Sequence, residues 1–240
     1  MTALPVSRLR DGGLPVSALL CAWLEAVRTG RAGPDDLEET VRGGDPRHLV
    51  AGLPDVVELH ELPAAVAAAP RLALPVPGDL VGLGGPPALN LAALEAGQAV
   101  VVGAVGLVPE VDARTVVWRV HEAAPVPYTD ERETAIALRE ALSRVTSRLV
   151  DLDVASWQPE IPDLLMNLRK RPPLPLPPGT GPRRVETVER AVLCLEIVRL
   201  ARESEGGAVS TSEMAHRREA LTELDGAARR ALVGACSGQD

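Results

Sequence analysis

The sequence predicts an α+β fold, with a small, mainly antiparallel sheet and helices in the first half and helices alone in the second. Before residue 128, short apolar runs are broken by 14 of the 22 prolines, which favours strands and turns. After residue 128, apolar residues recur with helical periodicity. The last two helical stretches are joined by a short glycine-containing segment, which predicts an antiparallel helix pair. We therefore expect two parts, residues 1–128 and 129–240, which are separate domains or share one core.

The first half is predicted to contain three helices. Pro34 and the acidic residues after it are typical of a helix N-terminus, and we prefer this interpretation to a metal site. Gly97 is expected to end the third helix, because glycine readily adopts the left-handed conformation found there. The predicted helices span residues 17–27, 35–41 and 86–96.

Four strands are predicted in the same half. Prolines at positions 75 and 77 restrict one of them to a sheet edge. In the last strand, Trp118 lies on one face, and Arg119 and His121 lie on the other. The predicted strands span residues 56–62, 72–76, 98–108 and 115–121, and the last two form an antiparallel hairpin across residues 109–114.

The second half is predicted to contain four helices. The first begins near Asp130, whose spacing to Glu133 matches a capping box, and Ser210 with Glu213 gives the same signal for the last. The predicted apolar stripe of the first helix is Ala135, Leu138, Leu142, Val145, Leu149 and Leu152. Residues 161–168 and 183–202 are the two helices between them.

Charge and cysteine content narrow the class of protein. The net charge of −8 argues against nucleic-acid binding, because binding to phosphates needs a basic surface. The longest apolar run outside the N-terminal region, residues 99–108, is about half of a membrane span, so we expect no membrane insertion. Three widely spaced cysteines do not suggest disulfides, and Cys21 and Cys194 lie in apolar helical patterns typical of core residues. A cytoplasmic location is predicted.

Familiar catalytic motifs are missing from the sequence. It contains no HExxH, GxSxG or EF-hand pattern, and its only lysine, Lys170, follows Arg169 rather than the glycine of a phosphate-binding loop. We therefore predict no catalytic residue, metal ligand or cofactor. A non-enzymatic role is favoured, although an enzyme built from scattered residues would leave no linear pattern.

The most distinctive segment is basic and proline-rich. Six of the fourteen residues from 169 to 182 are proline, which favours an extended polyproline II conformation. Such segments bind protein partners, and we predict that this interaction or regulatory protein binds its partner here. The alternative is a stiff connector whose Leu174 and Leu176 pack on the domain. The predicted partner-binding residues are Arg169, Lys170, Arg171, Trp157, Arg183 and Arg184.

A small-molecule site, or that of an unfamiliar enzyme, is the alternative function. The segment from Gly82 to Pro87 resembles a phosphate-binding loop except at its last position, and a helix follows it. A tight turn leading into that helix would explain the same residues. His121 could act as an acid or base there, with Asp79 or Glu122 as its partner. The predicted ligand-binding residues are Gly84, Gly85, Asn90, Arg119 and His121.

Overall fold

The computed structural model describes residues 13–44, 47–52, 56–112, 115–151, 173–203 and 211–238. These residues have the predicted α+β fold, with helices before and after a mainly antiparallel sheet. The helices are α1 (Val16–Arg28), α2 (Pro34–Arg42), α3 (Leu62–Ala65), α4 (Pro87–Ala96), α5 (Glu131–Asp151), α6 (Pro182–Glu203) and α7 (Thr211–Cys236). Among them, none has the length and apolar character needed to cross a membrane.

The six strands form one sheet in the order β2-β1-β6-β5-β4-β3. Only the pairing of β1 with β6 is parallel among the described strands, and it places Val50 opposite Trp118. The strands are β1 (His48–Ala51), β2 (Val57–Glu58), β3 (Pro70–Ala73), β4 (Ala99–Val102), β5 (Val105–Asp112) and β6 (Thr115–Glu122).

Several strand predictions were wrong in detail. The single strand predicted at residues 98–108 is two strands, because the chain turns at Gly103, whose φ of +62° favours glycine. β5 then continues into the segment predicted to join the hairpin. Residues 56–62 are extended only at Val57–Glu58, after which a 3-10 turn (Leu59–Glu61) leads into α3. β1 was not predicted.

The predicted edge strand is present as β3, but it spans residues 70–73 rather than 72–76, so the prolines at 75 and 77 follow it. The residues directly after α7 cover part of this edge. The hydroxyl of Ser237 accepts a hydrogen bond from the backbone N–H of Leu72 at 3.0 Å. The backbone N–H of Gly238 donates to the carbonyl of Pro70 at 2.7 Å. These contacts satisfy backbone groups that an edge strand would otherwise expose.

The predicted helix pair is confirmed, because α6 and α7 pack together through the apolar faces predicted for them. The Asp130 carboxylate accepts a hydrogen bond from the backbone N–H of Glu133 at 2.9 Å, so the predicted cap of α5 is also present. Gly97 ends α4 with φ +71°. The predicted helix 161–168 and the Ser210 cap lie outside the described residues.

Residues from both halves form the main hydrophobic core. Trp118 and Leu72 of the sheet belong to the same buried cluster as Leu20 of α1 and Leu232 of α7. A smaller cluster lies under α4 on the other face of the sheet. Gly106 permits this close approach, because a Cβ there would lie 2.6 Å from Leu89 Cδ1.

Candidate functional site

A cleft of about 1050 Å³ lies between the segment after β3 and the helices of the second half. Its apolar lining includes Leu74, Val76, Leu94, Ala141, Leu195 and Val198. Its charged lining consists of Arg144, Arg199, Arg202, Arg229 and Arg230 with Asp79, Glu223 and Asp225. The cleft thus combines an apolar surface with five arginines and three carboxylates, and Arg199 is also paired with Glu196, outside the lining, at 2.6 Å.

Arg229 joins the two halves at one wall of the cleft. Its side chain is only 8% exposed. Nε donates to Asp225 Oδ2 at 2.9 Å, one terminal nitrogen donates to the Leu74 carbonyl at 3.0 Å, and the other donates to Asp79 Oδ2 at 3.0 Å. A buried guanidinium with three acceptors is held in one orientation, so this wall is pre-organised.

The second anchor of this wall is a tight turn that carries Asp79. The backbone groups of Val76 and Asp79 exchange two hydrogen bonds of 2.9 Å, and Gly78 between them has φ +87°. The turn directs the Asp79 carboxylate to Arg230 as well, whose terminal nitrogen donates to Oδ2 at 2.8 Å. Unlike Arg229, Arg230 has a side chain that is 48% exposed.

Further arginines lie along the helices that line the cleft. Arg144 Nε donates to Glu223 Oε1 at 2.8 Å, and Arg202 lies 3.6 Å from Asp225 Oδ1. The Arg144 and Arg202 side chains are about half-exposed. A guanidinium has five N–H donors, more than one carboxylate contact uses. The cleft can therefore offer donors to an anionic group while its apolar lining contacts the rest of a ligand.

Most of the predicted partner-binding segment lies outside the described residues, including Trp157, Arg169, Lys170 and Arg171. The part from residue 173 onwards runs along the domain. Trp23 Nε1 donates to the Pro175 carbonyl at 2.9 Å, and a terminal nitrogen of Arg31 donates to that of Pro178 at 3.2 Å.

The side chains of this part alternate in exposure. Leu174 and Leu176 pack against the core, as the connector alternative predicted, whereas the prolines at 173, 175 and 178 are exposed. Beyond them, Arg183 is exposed, and Arg184 donates to Glu131 at 2.6 Å. Both arginines line a depression of about 600 Å³ with Thr180 and Arg31.

The glycines predicted to bind a ligand lie in a loop that contacts the chain after β6. The Gly85 carbonyl accepts a hydrogen bond from the Ala124 N–H at 2.9 Å. A Cβ on Gly84 would lie 2.9 Å from the Pro125 carbonyl oxygen. Asn90, in the first turn of α4, has a buried Oδ1 without a hydrogen-bond partner among the described residues. None of these three is among the described residues that line the cleft.

Trp118 points into the core, so Arg119 and His121 lie on the opposite face of the sheet. It is fully buried, with its indole nitrogen 3.3 Å from Nδ1 of the buried His48. Arg119 lies on the opposite face, where its half-exposed side chain donates to Glu110 at 2.7 Å. His121 is partly buried on that same face. Neither Arg119 nor His121 is among the described residues of the cleft.

The three cysteines are free and buried, which confirms Cys21 and Cys194 as core residues. Burial raises the pKa of all three thiols, to about 11 for Cys194 and about 12 for Cys236. Because the thiolate is the reactive form, these residues are poor nucleophiles.

Arg229, Arg230 and Arg202 were not predicted as site residues. The acceptors of Arg229 and Arg230 in the first half lie 150 or more positions away in the chain, so no local motif marks the contact. One signal was present in the sequence. Arg229 directly follows Ala228 in the apolar stripe of α7, and a charged residue at the margin of a buried stripe needs a partner.

Two family models match the chain, and each describes one domain of an Rv1486c-like protein. The N-terminal domain matches residues 17–132 and the C-terminal domain matches residues 132–233. No curated protein and no solved structure matches the chain. Since the two models together match residues 17–233, the chain belongs to the Rv1486c-like family.

Proposed function

We propose that this protein binds a small anionic molecule with an apolar portion in the cleft, and that it acts as a non-enzymatic binding or regulatory protein. The observation that carries this proposal is the lining of the cleft: five arginines against three carboxylates, beside an apolar surface. Guanidinium groups suit carboxylate and phosphate geometry. The volume of about 1050 Å³ is just above the range of about 300–1000 Å³ that is typical of small-molecule sites.

The different roles of the arginines support this proposal. Arg229 is buried and each of its three side-chain nitrogens donates a hydrogen bond, so it fixes the wall. Arg230 is half-exposed and shares Asp79 with it, so an anion beside Arg230 competes with that carboxylate. Binding of an anion would therefore change the contact between the Asp79 turn and α7.

The proposal is tested with probes of matched size and different charge. We expect the anionic apolar dye 1-anilinonaphthalene-8-sulfonate to bind and decanoate to displace it, whereas decylamine, which has a similar chain but opposite charge, should not. Displacement by decylamine and decanoate at equal concentrations would show that the arginines do not select the ligand, and would overturn the proposal.

Variants locate the site. Arg230→Gln should weaken decanoate binding by roughly tenfold, the effect of losing one charge-assisted hydrogen bond. Ala137→Trp, at an exposed position on the cleft, should block it. Arg132→Gln and Ala215→Trp are matched controls, since both residues are exposed and neither lines the cleft. Equal effects of the test and control variants would place binding elsewhere.

The second candidate is docking of a protein partner at the proline-rich segment. It is favoured by the exposed prolines at 173, 175 and 178, which Trp23 and Arg31 hold in place beside exposed Arg183. A pre-ordered proline ridge flanked by cations suits a partner with an aromatic groove and acidic residues. The free, buried cysteines and the acidic net charge support a cytoplasmic setting and a partner other than nucleic acid.

Affinity purification at moderate salt tests the docking role. We expect a polyproline-binding protein to be retained by the wild type, and lost when Arg169, Lys170 and Arg171 are replaced together by Ser. The matched control replaces Arg132, Arg139 and Arg218, which are exposed elsewhere. Retention by the triple variant of every partner that the wild type binds would show that this segment is not the docking surface.

A further inference from the structure

Three potential metal ligands meet where α2 contacts the turn after β2, away from the residues of the cleft. Glu38 lies on α2, Glu58 ends β2, and His60 lies in the following 3-10 turn. Each offers one ligand atom, and these atoms all lie within 4.8 Å of one another. Two ligands of one zinc ion are at most about 4 Å apart, so small side-chain rotations complete the site.

The backbone beneath these side chains is well fixed. Leu37 and Leu59, which precede Glu38 and His60, are fully buried. The backbone N–H of His60 also donates to the Glu38 carboxylate at 3.2 Å. Because the adjacent residues are anchored in the core, the backbone that carries Glu38 and His60 is held in place, which lowers the entropy lost when an ion binds.

Charge at this place favours a cation. Asp35 and Glu61 add to the negative potential at His60, while Arg42 and Arg47 act on Glu58 in the opposite sense. With Glu38 and Glu58, four carboxylates face two guanidinium groups. The residues are already partnered without an ion, since His60 Nδ1 contacts Glu38 and Glu58 pairs with Arg47. A metal ion would take the place of the proton between His60 and Glu38.

We propose that Glu38, Glu58 and His60 bind one divalent transition-metal ion of the zinc class. One imidazole nitrogen with carboxylate oxygens is a ligand set that suits Zn²⁺ better than Mg²⁺ or Ca²⁺, which prefer oxygen alone. Three protein ligands leave a fourth position for water. The ion would clip α2 to the turn after β2 and stabilise this edge of the fold.

Isothermal titration of chelator-treated, tag-free protein with ZnCl₂ tests the proposal. We expect one ion per chain, and binding about 100-fold weaker in His60→Gln and Glu38→Gln, because each variant removes a ligand. Glu39→Gln and His216→Gln are matched controls, since both residues are exposed and neither belongs to the cluster. Circular dichroism of the metal-free variants checks that all of them fold.

Cobalt tests for thiolate ligands independently. The near-ultraviolet spectrum of the Co²⁺ complex should lack the charge-transfer band of thiolate ligation, which would exclude the cysteines as ligands. Absence of stoichiometric Zn²⁺ binding would overturn the proposal, as would binding that His60→Gln leaves unchanged or a thiolate spectrum.

Discussion

The cleft and the face of the sheet that carries α4 both place an arginine beside a carboxylate, but with different burial. Arg229 in the cleft has an 8% exposed side chain and three acceptors, of which the Leu74 carbonyl and Asp79 lie 150 or more positions away in the chain. Arg119 on the sheet is 50% exposed, and its partner Glu110 is nine positions away on the neighbouring strand. The same residue type thus fixes tertiary structure in one region and forms a solvent-screened pair in the other.

The largest expected effect tests this contrast directly. Arg229→Ala should lower the free energy of unfolding by about 3–5 kcal/mol, because it leaves Asp79, Asp225 and the Leu74 carbonyl without their buried donor. Arg119→Ala should lower it by about 1 kcal/mol or less, since exposed pairs contribute little. Chemical denaturation of both variants measures the difference. Equal losses would mean that burial does not separate the two regions.

A second test compares a glycine turn of the cleft with a glycine turn that packs against β3. At Gly82, in the loop predicted to resemble a phosphate-binding loop, a Cβ would clash with the Leu72 carbonyl and lie 2.6 Å from Ala73 Cα, and φ is +83°. Gly82→Ala should therefore cost roughly 2–4 kcal/mol of stability. At Gly78 of the cleft φ is +87° but a Cβ would meet open space, so Gly78→Ala should cost about 1–2 kcal/mol.

Thermal and chemical unfolding of the two alanine variants decides whether Gly82 is needed for packing. A Gly82→Ala protein as stable as Gly78→Ala would contradict the close backbone contact. The space around Gly82 could then accommodate more than the turn itself requires, which would favour the ligand-binding interpretation of this loop.

The sequence predicted the elements that depend on local contacts and missed those that depend on contacts between distant parts of the chain. Helices depend on local periodicity and caps, so α5 with its Asp130 cap was found from the sequence. β1 was missed because it has only four residues and its parallel partner β6 lies almost 70 positions away. The run of valines at residues 100–102 hid the turn at Gly103, since every residue of β4 is buried and no alternation marks its end.

The cleft could not be predicted from the sequence because, like the pairing of β1 with β6, it depends on residues far apart in the chain. Its wall depends on Arg229 meeting Asp79 across 150 positions, and only the packing of α7 against the segment after β3 brings them together. By contrast, Arg119 and His121 were placed correctly on one face, because alternation along a strand is a local property.

The proline-rich segment, like the wall of the cleft, is held by a contact between distant parts of the chain. Removing that contact should therefore also destabilise the protein. Trp23→Phe removes the donor to the Pro175 carbonyl and should lower the free energy of unfolding by about 1–2 kcal/mol. Limited proteolysis should become faster within residues 173–181. Unchanged cleavage there would show that the indole hydrogen bond does not hold the segment, and that Leu174 and Leu176 suffice.

The smallest effect is expected where the contacts are most exposed. The hydrogen bond between His60 and the Glu38 carboxylate raises the pKa of His60 above its usual value of 6.5, and Asp35 and Glu61 act in the same direction. In metal-free buffer, Glu38→Gln should lower this pKa, as measured by NMR titration of the ring protons. Because the folded pKa exceeds the unfolded one, the pair stabilises the protein below the unfolded pKa, and this contribution disappears as pH rises through the folded pKa. If His60 has the same pKa in the wild type and in Glu38→Gln, solvent screens this pair completely. Exposure would then weaken a charged pair even more than the comparison of Arg229 with Arg119 predicts.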